Sequence, residues 1–223
     1  MFNYTKGIEQ LTELYFYETE KPKNIHEPGD DPHSMLVHDG WSRAESFSPD
    51  REGFALHSFQ TSHSDWTDDT AVKASFYPEI VSLLQKTTGA KRVLVFDHTI
   101  RTNANADRKL TDEKQISQRT PVMLVHCDYT AQPGPTRVKQ LLPEEAEILL
   151  ESRVAFINVW KPPNTVEESP LGMLDTTSTT PDIWQAKRGN APLFSAAAAP
   201  LLLTSPTHMS YADLLLFNND HNV

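Results

Sequence analysis

Sixteen prolines spread along 223 residues limit this chain more than any other feature. Proline removes a backbone donor and clashes with the preceding helical turn, so long helices and uninterrupted central strands are hard to fit between them. The spacing predicts short elements, with strands and loops and a few helices in place of a helical bundle. The length suits a single domain with a sizeable core. Thirty acidic against twenty basic residues leave a net charge of −10. Such a charge repels phosphate backbones and anionic membranes, so a nucleic-acid partner is not expected. The longest apolar run, around Ser195 to Thr204, reaches about half of the roughly twenty residues needed to cross a bilayer, so no membrane partner is expected either. The one cysteine, Cys127, cannot form an internal disulfide, and no basic stretch leads into an apolar run at the start of the chain. A cytoplasmic protein is the expectation.

Local patterns divide the chain further. TELYFYET reads as a strand, and the proline-bearing KPKNIHEPGDDPHS as a surface loop. In WTDDTAVKASFYPEIVSLLQKTTGAKR, Thr67 or Asp68 caps a helical pattern that Gly89 ends, with a division into two short helices before Pro78. Val93, Leu94, Val95 and Phe96 in a row predict a strand buried on both faces. The polar stretch from Thr102 to Thr120 reads as an excursion over one end of the domain, a lid. PVMLVHCDYT predicts a further strand, which puts His126 and Asp128 at its end, and Pro-Gly-Pro at 133–135 stops the ladder. LLPEEAEILLESR predicts a helix from Pro143, with its carboxylates at the positive end of the helix dipole. VAFINVWKP predicts a strand, and the stretch from Pro192 onward has a period ambiguous between helix and strand.

One triplet points to chemistry. On a strand, residues two apart share a face, so His126 and Asp128 are placed to bring an imidazole and a carboxylate to one metal ion, and Cys127 between them to face away. Two such ligands with one distal His make the facial triad of a non-haem Fe(II) oxygenase. A retained pair making only structural hydrogen bonds is the competing reading.

Four segments in order, YPEIVSLLQKTTGAKRVLVFDHTIR, PVMLVHCDYT, GPTRVKQLLPEEAEILL and INVWKPPNTVEESPLGMLD, resemble the signature segments of the fungal hydroxylase/desaturase family. That family is called asaB-type or gibberellin-desaturase-like and is related to cephalosporin methoxylation proteins. The similarity runs from about Glu13 to Asp182. It implies an α+β, mainly β fold, a double-stranded β-helix or jelly-roll core with flanking helices, incomplete at the C-terminus. It also implies one oxygenase-like domain over 1–223, with an N-terminal strand-and-loop extension at 1–50 and a divergent tail at 193–223. The implied cofactor is Fe(II), the co-substrate 2-oxoglutarate, and the partner a small-molecule natural product to be hydroxylated or desaturated; oligomeric state is not implied. His126 and Asp128 match the family's paired ligands, and Tyr129 and Thr130 complete the motif.

The chain departs from the family at two places. Trp160-Lys161-Pro162 stands where Trp-Arg-Pro is usual, and PLLLTSP stands where a His-Arg-Trp-Tyr-Tyr segment is expected. A flexible ammonium does not reproduce a two-pronged guanidinium. No residue matches the third ligand or the 2-oxoglutarate arginine, which leaves His208 and His221 as candidates for the ligand. An oxygenase fold that has lost its iron site, acting as a cyclase, isomerase, binding protein or inactive relative, is the alternative function.

Further binding candidates are His98 with Arg101, Arg137 and Lys139 alternating on an expected strand, and Trp160 with Asn158 on one strand face. His26, His33, His38, His57 and His63 read as solvated, and Asp65, Asp68 and Asp69 as capping residues.

Overall fold

The structure is a computed structural model that describes residues 1–4, 29, 31–102, 118–119, 121–126, 133–163, 165, 170–179, 185–186, 194–195, 201–203 and 210–218. In chain order it contains β1 (Phe2–Tyr4), β2 (Asp31–His33) and β3 (Val37–Asp39), then a continuous helical stretch. That stretch comprises α1 (Asp69–Ala71), a π turn (Val72–Phe76) and α2 (Tyr77–Thr88). There follow β4 (Arg92–Arg101), β5 (Gln118–Arg119), α3 (Pro133–Leu141), α4 (Ala146–Leu150) and β6 (Arg153–Lys161). The remaining strands are β7 (Gly172–Leu174), β8 (Gln185–Ala186), β9 (Phe194–Ser195), β10 (Leu201–Leu203) and β11 (Ser210–Asn218). No described helix is long and apolar enough to cross a membrane.

The main sheet has the order β5-β4-β11-β6, and β11 runs antiparallel to both neighbours. The stretch beyond Pro192, whose period was ambiguous, therefore supplies the middle strand. A smaller sheet has the order β3-β10-β7, and two strand pairs, β1-β2 and β8-β9, complete the described ladders. No closed barrel is present among them.

Both faces of the main sheet are covered, as the run of apolar residues in β4 requires. On one face Val72, Phe76, Ile80, Leu84 and Ala90 pack against Val93 and Val95 of β4 and Ala155, Ile157 and Val159 of β6. On the other, Val138, Ala146 and Leu149 pack against Leu94, Phe96, Val154 and Phe156. The alternation breaks once. Asp213 pairs with Asp97 and Leu214 with Val95, so Phe96 is an extra residue in the β4 ladder. An added residue changes the parity of everything beyond it. His98, and not Asp97, therefore returns to the α2 side.

The helical stretch begins as its sequence predicts, with the Asp68 side chain accepting from the N–H groups of Thr70 and Ala71 at 2.8 and 3.2 Å. It ends at Gly89, whose φ of +71° suits a residue without Cβ. The expected division before Pro78 is instead a wider turn, in which the Tyr77 N–H reaches the Val72 carbonyl. Proline has no N–H and crowds the carbonyl four residues back, and a π turn just ahead of it relieves both problems without breaking the helix.

Several expectations are corrected. Pro133 and Pro135 lie inside α3, because the N–H groups of a first helical turn have no intrahelical acceptor and proline loses nothing there. Arg137 and Lys139 are consequently helical and do not share a strand face. The helix expected from Pro143 starts at Ala146, after a turn closed by the Glu145 N–H to Leu142 O at 3.1 Å. Part of the expected surface loop, Asp31–His33, is a strand against β1. Pro121–His126 carries no strand. The expected TELYFYET strand and the stretch 103–117 lie outside the described residues.

Candidate functional site

Sheet topology gathers several of the candidate residues at one end. Trp160 pairs with Tyr211, which pairs with Thr99; Lys161 pairs with Ser210, which pairs with Ile100. β5 runs parallel to β4 with Arg119 beside Arg101, and the chain from β5 leads within a few residues to Pro121–His126. His98, Arg101, Trp160 and Lys161 thus share the sheet end to which the segment carrying His126 is connected. The Lys161 ammonium donates to the Pro162 carbonyl at 2.9 Å. Trp160 and Asn158 keep the common face that the strand period predicts.

His126 is exposed and lies in an irregular segment, not at a strand end. The segment is attached to β1. The Val125 N–H donates to Asn3 O at 2.9 Å, and the Asn3 side-chain amide donates to Met123 O at 3.0 Å. His126 Nδ1 is 2.9 Å from Leu124 O. A carbonyl only accepts, so Nδ1 carries a proton, and in the neutral ring that leaves the lone pair on Nε2. An imidazole metal ligand needs that state, with its second nitrogen held by a carbonyl. On this observation His126 fits a ferrous ligand. Asp128, Tyr129, His208 and His221 lie outside the described residues. Among the described residues no group of three or more His, Cys, Asp or Glu is arranged to hold a metal.

His98 sits in a structural setting on the α2 side of β4. Its ring is 6% exposed, its Nδ1 is 2.8 Å from the Tyr77 hydroxyl, and its Nε2 is 3.5 Å from Asp69 Oδ1. Burial pushes its pKa below the ordinary histidine value; Asp69 opposes that shift and Lys73 adds to it. With a carboxylate facing Nε2, the proton resides there and Nδ1 accepts from Tyr77 O–H. A neutral imidazole engaged in this way ties β4 to α2 and is a poor anchor for an anion. Arg101, three residues along the strand, lies on the opposite face from His98. Arg137 stacks its guanidinium over Phe96 at 5.0 Å, a cation–π contact within the packing under the sheet. A shallow hollow of about 390 Å³ runs along α2 and β4, past Lys73, Tyr77, Val81 and Val93, and includes neither His126 nor Trp160.

His63 is buried, contrary to the expectation of a solvated ring. Its Nδ1 is 2.7 Å from Ser75 Oγ, and it meets Trp66 edge-on at 4.7 Å. Asp65 and Asp68 cap turns as expected. Tyr77 and Asn3, which hold the two histidines, gave no signal in the sequence, because their roles depend on contacts between distant segments.

A family model described as "YDMC: Oxidoreductase/YMDC permease-like domain" matches residues 2–189. "Oxidoreductase AN1597" of Emericella nidulans is 34% identical over 152 residues, which cover 67% of this chain and 51% of that protein. "Alpha-ketoglutarate-dependent dioxygenase phiK" of a fungal species is 32% identical over 143 residues, 64% of this chain and 51% of that one. Proteins named hydroxylase/desaturase are among the further relatives, as the signature segments imply. The chain spans about half the length of the curated relatives it matches. In three dimensions it is similar to the "iron and alpha-ketoglutarate-dependent endoperoxidase NvfI with different conformation", with a TM-score of 0.76 and 21% identity, over 98% of this chain and 96% of that one. The likeness shows that the two chains share a fold.

Proposed function

The chain belongs to the oxidoreductase/YMDC permease-like domain family, and on that premise we propose that it is a non-haem Fe(II)/2-oxoglutarate-type oxygenase that hydroxylates or desaturates a small-molecule natural product. The supporting observation is the His126 ring, whose Nδ1 donates to Leu124 O, the second-nitrogen contact that supports an imidazole metal ligand. The names of the relatives, an oxidoreductase and an α-ketoglutarate-dependent dioxygenase, favour the same chemistry. We read 1–223 as one oxygenase-like domain with a jelly-roll core, acting in the cytoplasm.

His126 and Asp128 are the proposed protein ligands, with His208 and His221 the candidates for the third. Bound iron with its co-substrate supplies the activation of O₂. The chain's own residues hold the ligand imidazole in the required tautomer, and place Arg101 and Lys161 near the sheet end, where a cation can meet a carboxylate. Trp160 and Tyr129 are assigned to the substrate wall. Arg137, over the Phe96 ring, is assigned to packing.

The test is anaerobic titration with Fe(II), followed, once O₂ is admitted, by succinate release from 2-oxoglutarate. The expectation is one ferrous site per chain, abolished in Asp128→Ala with the melting temperature retained. Absence of a stoichiometric site, or a site indifferent to Asp128→Ala, overturns the assignment.

A further inference from the structure

We infer that Asn3 is a positioning residue for His126, setting the tautomer of its ring by clamping the Leu124 peptide. The inference deepens the proposed function and, as regards metal binding, rests on it. Pro121–His126 has no ladder to give it shape, and its attachments to Asn3 fall on either side of Leu124. Asn3 O takes the Val125 N–H at 2.9 Å, and the Asn3 amide gives a hydrogen bond to Met123 O at 3.0 Å. A peptide carbonyl turns with the groups bonded before and after it. Leu124 O is thereby aimed where His126 Nδ1 meets it at 2.9 Å.

Asn3 is itself well anchored. It sits in the middle of β1, opposite Pro32 of β2, and the next residue, Tyr4, is 1% exposed. Antiparallel pairs alternate between hydrogen-bonded and non-hydrogen-bonded, and proline suits the latter because it has no N–H. The carbonyl of Asn3 is thus directed away from β2 and towards Val125. The Leu124 side chain packs into the same corner: a Cβ built on Gly29 would lie 3.6 Å from Leu124 Cδ1 and 3.8 Å from Asn3 Cβ. One residue of β1 therefore fixes the backbone on which the imidazole depends.

Asn3→Asp is nearly isosteric but cannot donate to Met123 O; Asn3→Gln keeps a donor. The experiment compares full-length chains by ¹⁵N shifts of the imidazole nitrogens, at a pH where the ring is neutral, and by Co(II) titration, with circular dichroism to check folding. Wild type should show His126 protonated at Nδ1. Asn3→Asp should move the population towards the Nε2-protonated form and weaken Co(II) binding by about 10–100-fold, the usual effect of losing a ligand's supporting contact. Asn3→Gln should recover part of both. Unchanged shifts and affinity in Asn3→Asp overturn the inference, and so does a wild-type ring protonated at Nε2. If Asn3→Asp does not fold, Asn3→Ala removes the same donor without adding a charge and is read by the same two criteria. Should wild type bind no Co(II) while its tautomer still depends on Asn3, the iron reading falls and the positioning role stands. Should binding vanish in Asp128→Ala but ignore every change at Asn3, the reverse holds.

Discussion

Truncating Ile80 to alanine isolates the contact between α2 and the main sheet. Ile80 is 0% exposed, and the cluster it belongs to draws residues from the π turn, α2, β4 and β6. The change deletes three carbons, a transfer loss of about 2.4 kcal/mol at about 0.8 per carbon. A cavity adds to that loss where the surroundings cannot collapse, and buried Ile→Ala changes cost up to about 5 kcal/mol. Support from several elements restricts collapse at Ile80, so about 3–4 kcal/mol is expected. For a chain of this length, that corresponds to a fall in melting temperature of about 6–16 °C. Ile148 on α4 is the control, since it is 59% exposed and has the same carbons to lose. Ile148→Ala should stay within about 1 kcal/mol of wild type. Urea unfolding followed by circular dichroism measures both. A difference below about 1 kcal/mol between the two variants would refute the packing of α2 described above.

Two further outcomes follow from local geometry. For Glu79, burial pushes the carboxyl up, but hydrogen bonds from Ser62 and Thr61 outweigh it and hold the pKa below 4.5. A depressed carboxylate pKa gives stability that is fully present above the unfolded value and is lost as pH falls through the folded one. Glu79→Gln should therefore flatten the acid limb of urea midpoints below pH 4.5, and an unaltered slope would count against the contact. Gly53 and Gly89 both have positive φ, +87° and +71°, but a Cβ on Gly53 would meet Thr176 Cγ2 at 2.9 Å, whereas one on Gly89 would meet nothing within 4 Å. Gly89→Ala should cost about 1–2 kcal/mol for its backbone alone. Gly53→Ala should cost about 1–3 kcal/mol more, because Thr176 has to move; equal melting temperatures would exclude the clash.

What could be read in the sequence was local. Asp68 as a cap, Gly89 as a stop and the doubly buried run from Val93 depend on near neighbours, and the structure has all three. The helix around Arg137 was legible in principle, since Val138, Leu141 and Leu142 recur at helical spacing, but Arg137 and Lys139 two residues apart gave a competing strand pattern. The side of the sheet taken by His98 was not legible. It depends on the extra residue at Phe96, and that shift exists only in the pairing with β11. For the candidate site, the motif identified His126, but strand alternation did not describe its surroundings. The carbonyl that fixes its ring is aimed by a residue far away in the sequence, Asn3.

The position of β11 has a kinetic consequence. β4 and β6 do not pair with each other, and each uses β11 as its neighbour, with Leu94 against Leu215 and Leu215 against Phe156. The sheet therefore cannot be completed from adjacent segments. It must close a loop from Leu94 to Leu215, the high contact order that slows folding. Until that loop closes, two apolar strands present open edges, and a partly folded chain is exposed to capture by another copy. Refolding yield should fall steeply with protein concentration, and a chaperone that shields strand edges should restore it.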